Sequence, residues 1–254
     1  MSTRVSEAIL QDVLRRASDE ERLALTQAIQ PQATRPLEAN ALEHALGRAA
    51  GHGVINALRG KGVSYAELLS DAVDTLEIKD APRYFRAGEL GISVASMDSD
   101  RAQAIAEQVR IGSVKDFVDQ LERKLLSKLM TVAYERATPA QRKAIDAQLR
   151  LTLASSKGTG LKGLSTGAAL LAIGNLGGFA TYTVASSVLS ALSLGTLGFG
   201  AYTFASSAIS VLLGPAGWLA LGLAAVVKLG GPDKAQVVRL AATCALTAQR
   251  IKKH

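Results

Sequence analysis

An all-α fold follows from three observations on the sequence. Aromatic residues make up only 4% of the chain, while Ala, Leu, Gly and Ser dominate, which favours helices packed through small side chains over sheets of β-branched and aromatic pairs. Apolar residues recur at three- and four-residue spacing along the first 155 positions, the period of a helix with one buried face. Finally, Ser18 is followed by Glu21 and Ser64 by Glu67, the spacing at which serine and glutamate satisfy each other's backbone N–H groups at a helix start.

The elements follow in order. Ile9, Val13, Leu14 and Ala17 share one face of a first helix, and Ser18-Asp19-Glu20-Glu21 restarts the chain as a second helix through Leu25 and Ile29. Pro31 and Pro36 break it. A longer helical pattern over residues 37–59 ends at Arg59-Gly60-Lys61-Gly62, where glycine can take the left-handed cap conformation. The next helix opens at Ser64-Tyr65-Ala66-Glu67 and buries Leu68, Leu69, Ala72, Val73 and Leu76. Residues 79–98 read as irregular. A helix over 101–110 is followed by a second, strongly amphipathic one with Val114, Phe117, Val118, Leu121, Leu125, Leu129 and Val132 inside. Its other face carries Lys115, Asp119, Glu122, Arg123 and Lys128, which read as a solvated surface. Thr138-Pro139 caps one more helix, with proline at its first position, to about residue 153.

Charge divides the chain more sharply than helical period does. Net charge is +7, yet residues 1–162 nearly balance, with 23 basic against 21 acidic, whereas residues 163–227 hold no charge and residues 228–254 hold six basic residues and one acid. This divides the chain into a soluble helical domain (1–155), a flexible break (156–162), an uncharged helical pair (163–227) and a basic closing helix (228–254). A mixed-charge domain with a basic tail suits an anionic membrane surface better than a nucleic-acid groove, which would also need aromatic stacking platforms near its basic residues. The N-terminal stretch is charged throughout and has no apolar signal region, so a cytoplasmic protein that associates with the membrane is expected.

The 65-residue uncharged stretch has room for two membrane crossings of roughly 20 residues and a turn. It is glycine-rich and repeats itself at a spacing of twenty: Phe179 and Tyr182 with their Ser and Thr neighbours recur as Phe199 and Tyr202. Two similar segments imply two similar helices packed as a pair. Gly174 and Gly178 sit four apart, a spacing that lets helix backbones approach closely, and they also mark the expected bend. Gly214-Pro215 interrupts the second helix, and Trp218 is either an interfacial anchor or a core plug. Lys157, Lys162, Lys228 and Lys234 flank the stretch as interfacial cations. The same composition would also suit the buried core of a water-soluble bundle. Colicin-like domains, which the arrangement resembles, combine both states: a hairpin is sheathed by amphipathic helices before it enters the membrane.

Three stretches carry a family resemblance over about two thirds of the chain. They are the helix pair around Ala17-Ser18-Asp19-Glu20, the segment Asn56-Ala57-Leu58-Arg59-Gly60-Lys61-Gly62 with Tyr65 and the leucine-rich helix after it, and Leu213-Gly214-Pro215-Ala216-Gly217-Trp218 with the closing helix. These resemble the YaaW-like bacterial proteins, an uncharacterised group placed with ubiquinol-cytochrome c chaperones. The sequence departs from that pattern after Gly231-Pro232, where Asp233-Lys234-Ala235-Gln236 replaces an expected Tyr-Arg-Val-Thr stretch. The resemblance implies a helical fold and a second functional expectation, a soluble assembly factor that holds a partner helix.

No catalytic constellation stands out, and no cofactor is expected. Gly60-Lys61-Gly62 lacks the spacing and the strand of a phosphate loop, so Asn56, Arg59, Gly60, Gly62 and Tyr65 read as a structural bracket between two helices. His44, His52 and His254 with the single Cys244 form no zinc spacing, and Cys244 beside Leu246 reads as a small core residue. A non-enzymatic, membrane-interacting protein, with a protein partner as a further possibility, is the resulting expectation.

Overall fold

The computed structural model describes residues 2–30, 32–49, 63–82, 99–155, 165–170, 181–182, 184–185, 188 and 232–252. These residues are helical or lie in turns, with no strand among them, so the protein is all-α as expected. Its helices are α1 (Ser2–Arg16), α2 (Asp19–Ile29), α3 (Ala39–Ala49), α4 (Tyr65–Thr75), α5 (Ser99–Arg136), α6 (Pro139–Ser155) and α7 (Pro232–Ile251).

The helix starts behave as their residues dictate. Ser18 accepts from the Glu21 N–H at 3.2 Å while Glu21 accepts from the Ser18 N–H at 2.7 Å, and Ser64 with Glu67 repeats the exchange at 3.3 and 2.9 Å. Thr138 and Gln141 form the same reciprocal pair before α6, at 3.3 and 2.9 Å. Each exchange satisfies two backbone donors that the first helical turn leaves without an internal acceptor. At the other end of α4, Glu77 takes a φ of 52°, and the Ile78 N–H reaches back to the Val73 carbonyl at 3.1 Å. That is the left-handed helix stop usually given to glycine. Ile78 packs against the core and helps hold the chain there.

One element in this part of the chain differs from expectation. The helices expected at 101–110 and from 114 onward are one continuous helix of 38 residues, α5. Gly112 lies inside it without breaking it, because a helix-interior glycine costs only about 1 kcal/mol relative to alanine. Helix α3 occupies the first half of the pattern at 37–59, and the second half lies outside the described residues.

A second difference concerns the closing helix. A basic, amphipathic closing helix is expected there, buried along one face; α7 instead packs against α4 and α5 more extensively than any other pair among the described helices and also touches α1, α2 and α3. From Leu240 to Gln249 every residue is buried. Its small side chains (Ala241, Ala242, Thr243, Cys244, Ala245, Thr247, Ala248) let neighbours approach from all sides, where larger ones would hold them off. Thr243 returns its hydroxyl to the Arg239 carbonyl at 2.9 Å, so burial costs it no hydrogen bond.

Leu14, Leu25, Leu42, Leu69, Leu125 and Leu246 belong to one apolar cluster, which also takes in Ala169, Leu170, Val184, Ala185 and Val188 of the uncharged stretch. The Ser127 hydroxyl donates to the Leu170 carbonyl at 3.0 Å, and Thr166 donates to Asp146, which also accepts from Tyr134. The break expected at 156–162 lies outside the described residues, and the described residues beyond it pack into the same core as α1 to α6. A fragment ending at Ser155 therefore lacks α7 and exposes the side chains beneath it; we expect it to lose the cooperative urea transition of the whole chain. In the full chain Leu246→Ala is expected to lower unfolding free energy by about 2–5 kcal/mol, and a loss under 1 kcal/mol in the same titration would mean α7 is not part of the core.

Candidate functional site

The most unusual feature of this core is polar. Val118, Leu121, Leu125, Leu126 and Leu129 build the inner stripe of α5, and Glu122 stands within that stripe, four residues after Val118 and three before Leu125. Helical spacing thus carries the carboxylate inward, where it is fully buried instead of lying on the solvated face expected for it. Three donors meet it. Tyr65 Oη, from the first residue of α4, is 2.9 Å from Oε1, and Gln249 Nε2 and Lys252 Nζ, from the end of α7, are 2.7 and 2.6 Å from Oε2.

Asp119, one turn earlier, shares two of those donors. Gln249 Nε2 also lies 2.9 Å from Asp119 Oδ1, Lys252 Nζ contacts the same oxygen, and Arg123 reaches Oδ2 at 2.9 Å. Beside this cluster a second buried acid anchors the same end of α7. Arg250 grips Glu21 with two bonds of 2.7 and 2.6 Å, while Arg16 Nη2 donates to the Ile251 carbonyl at 3.1 Å. Glu21 therefore serves twice, capping α2 and receiving the fork of Arg250, a pairing in which a planar guanidinium fits a carboxylate better than a point charge does.

Burial shapes the acidity of these groups. Burial raises the Glu122 carboxyl above its ordinary value, and Lys252, Gln249 and Tyr65 offset only part of that rise. Burial also works to raise Asp119, but there Lys252, Gln249 and Arg123 prevail and hold it below the usual range. Lys252 is held above its ordinary value: burial disfavours its charge, but Glu122 and Asp119 more than compensate. Tyr65 is pushed well above the phenol range by burial and then by Glu122, so it keeps its proton and donates. The Cys244 thiol, raised to about 12 by burial and next by Glu122, is not a nucleophile near neutrality. Such a cluster can fasten one helix to two others and exchange a proton; it presents no activated nucleophile.

Of the expected bracket, Tyr65 belongs to this cluster, and Asn56, Arg59, Gly60 and Gly62 lie outside the described residues. Among the hairpin residues Tyr182 is half-buried against the core, and Gly174, Gly178, Phe179, Phe199, Tyr202, Gly214, Pro215 and Trp218 lie outside the described residues, as do Lys157, Lys162 and Lys228. Lys234 is exposed. Cys244 is buried, as its apolar setting suggests. Among the described residues no helix is long and apolar enough to cross a membrane, and no cluster of three or more His, Cys, Asp or Glu could hold a metal.

With this geometry in view, no family model, no curated protein and no solved structure matches the chain.

The anchors should carry measurable stability. Tyr65→Phe removes one hydrogen bond to a buried acid and is expected to cost about 1.5–3 kcal/mol in urea unfolding. Arg250→Ala strands the Glu21 carboxylate and is expected to cost about 3 kcal/mol, with Arg250→Lys recovering only part of it because an ammonium cannot supply two parallel bonds. Full recovery by lysine would rule out the bidentate geometry as the source.

Proposed function

We propose that this is a non-enzymatic helical protein that sheathes its own uncharged segment, residues 163–227, and presents it to an anionic membrane surface when the sheath opens, working at the cytoplasmic face of a membrane. The observation that carries this reading is that the 65-residue uncharged stretch contributes buried residues (Ala169, Leu170, Val184, Ala185 and Val188) to a core built mainly from charged, amphipathic helices. Apolar surface covered by helices with solvated outer faces is hidden from lipid until those helices part. The reading also draws support from the chain's resemblance to colicin-like domains, in which a sheath precedes insertion.

A second reading follows from the resemblance to YaaW-like proteins: a soluble assembly factor that holds a partner helix. The grip of Ser127 on the Leu170 carbonyl favours it, since a scaffold that binds a small-residue helix of its own chain could bind one from a partner.

Flotation with vesicles containing phosphatidylglycerol separates the two. Membrane presentation predicts binding at low salt, more binding for the loosened Leu246→Ala variant than for wild type, and a loss of about 1 kcal/mol per charge for Lys228→Gln and Lys234→Gln. Ala185→Lys is unsuited to this measurement, because Ala185 is fully buried and the substitution strikes the folded core first. If neither wild type nor the loosened variant floats with vesicles, membrane presentation is wrong and the assembly-factor reading takes its place.

A further inference from the structure

We propose that the cluster around Glu122 is a proton-coupled clamp on the end of α7: docking of the helix takes up a proton and undocking releases it, so acid tightens the sheath and a rise in pH loosens it. The purpose of that loosening rests on the membrane reading; the clamp itself does not.

The geometry carries the inference. Glu122 is fully enclosed, and two of its three donors, Gln249 and Lys252, sit in the last turn of α7 and just beyond it. When α7 undocks, those donors leave and water reaches the carboxylate, so the docked and undocked states differ at this group. Within the docked state two carboxylates, Glu122 and Asp119, compete for the same ammonium and the same amide. Asp119 has a further cation in Arg123, whereas among the described residues Glu122 has only the neutral Tyr65 hydroxyl as its further partner. The proton that relieves the competition therefore belongs on Glu122. Gln249 Oε1 is buried without a donor among the described residues, which leaves the cluster an unused acceptor for an added proton.

The groups facing Glu122 do not titrate across the same range. Tyr65 from α4 and Cys244 from α7 keep their protons, both being raised by burial, and Lys252 from α7 keeps its charge. Asp119, on Glu122's own helix, is held low and stays ionised in mild acid, paired with Arg123. Glu122 is left as the group that changes state. Because burial raises its acidity constant in the docked form, that form binds more protons than the undocked one between the ordinary glutamate value and the raised one. Docking is then favoured below this window and weakened as pH rises through it. The opposite acid limb, from Asp119, lies lower.

Cys244, the single cysteine and fully buried in α7, reports docking directly. The experiment is maleimide labelling of the full-length protein without lipid, each rate divided by that of the denatured chain at the same pH so that thiol ionisation cancels. Protection is expected to fall as pH rises above the ordinary glutamate range, by at most tenfold per unit for one proton. Glu122→Gln should remove the slope, and Lys252→Gln, by taking away the cation that holds Glu122 down, should move the fall to higher pH. Wild-type protection that is flat or rises with pH overturns the clamp, as does a Glu122→Gln protein with the wild-type slope. Should Glu122→Gln fail to fold, the wild-type slope and the direction of the Lys252→Gln shift decide. A flat clamp in a protein that still floats with vesicles sinks this inference alone, while a pH-dependent clamp in a protein that never floats sinks the membrane reading alone.

Discussion

A carboxylate with no exposed surface can remain in a helical core only if donors are brought to it, and this requirement organises the molecule. Glu122 draws one donor from the start of α4 and two from the end of α7. Leaving such a charge unpaired costs several kcal/mol, comparable with the whole stability of a domain. The scaffold of α1 to α5 is therefore incomplete until the far end of the chain arrives, 127 residues beyond Glu122 for Gln249 and 229 beyond Glu21 for Arg250. Contacts so distant in sequence are among the last that a folding chain can afford, because loop closure precedes any gain from them.

The same requirement changes what the positive end of the chain is for. Six basic residues after position 227 suggest attraction to an anionic surface when charge is read along the sequence. Two of them, Arg250 and Lys252, are instead committed to Glu21, Asp119 and Glu122, so they neutralise acids inside the protein. Lys234, at the opposite end of α7, is exposed and keeps the interfacial role open to it. Helix α7 thus has a basic end turned inward and another lysine near the point where the uncharged stretch precedes it in sequence.

Much of the fold was legible because it depends on local chemistry. Ser18 with Glu21, Ser64 with Glu67 and Thr138 before Pro139 fix helix starts within four residues, and Leu14, Leu25, Leu69 and Leu125 follow from period alone. Glu122 was legible in principle: it interrupts the stripe Val118, Leu121, Leu125, and a charge at a core position signals either an error of register or a buried pair. What period cannot supply is the partner, since nothing near Glu122 in sequence announces Gln249 or Lys252. Helix α7 was expected as a closing helix with Cys244 in the core, but the extent of its burial was obscured for a different reason. Its alanines and threonines give a weak apolar stripe, and a helix buried on all sides has little amphipathic contrast to detect.

That weak patterning also accounts for why polar groups stand where leucines would pack more cheaply. A surface made of Ala241, Ala242, Ala245 and Ala248 is nearly smooth and offers few large side chains to fix the register of α7. Replacing a buried ionic cluster with well-packed hydrophobic residues often gains stability, so stability alone does not explain the choice. Position does. With Gln249 and Lys252 on Asp119 and Glu122, and Arg250 on Glu21, a one-turn slip would take the donors of α7 from three acids at once. The ionic anchors help confine an alanine-rich helix to one register, and because their bonds depend on charge they confine it in a way that protons can adjust, which a hydrophobic anchor would not allow.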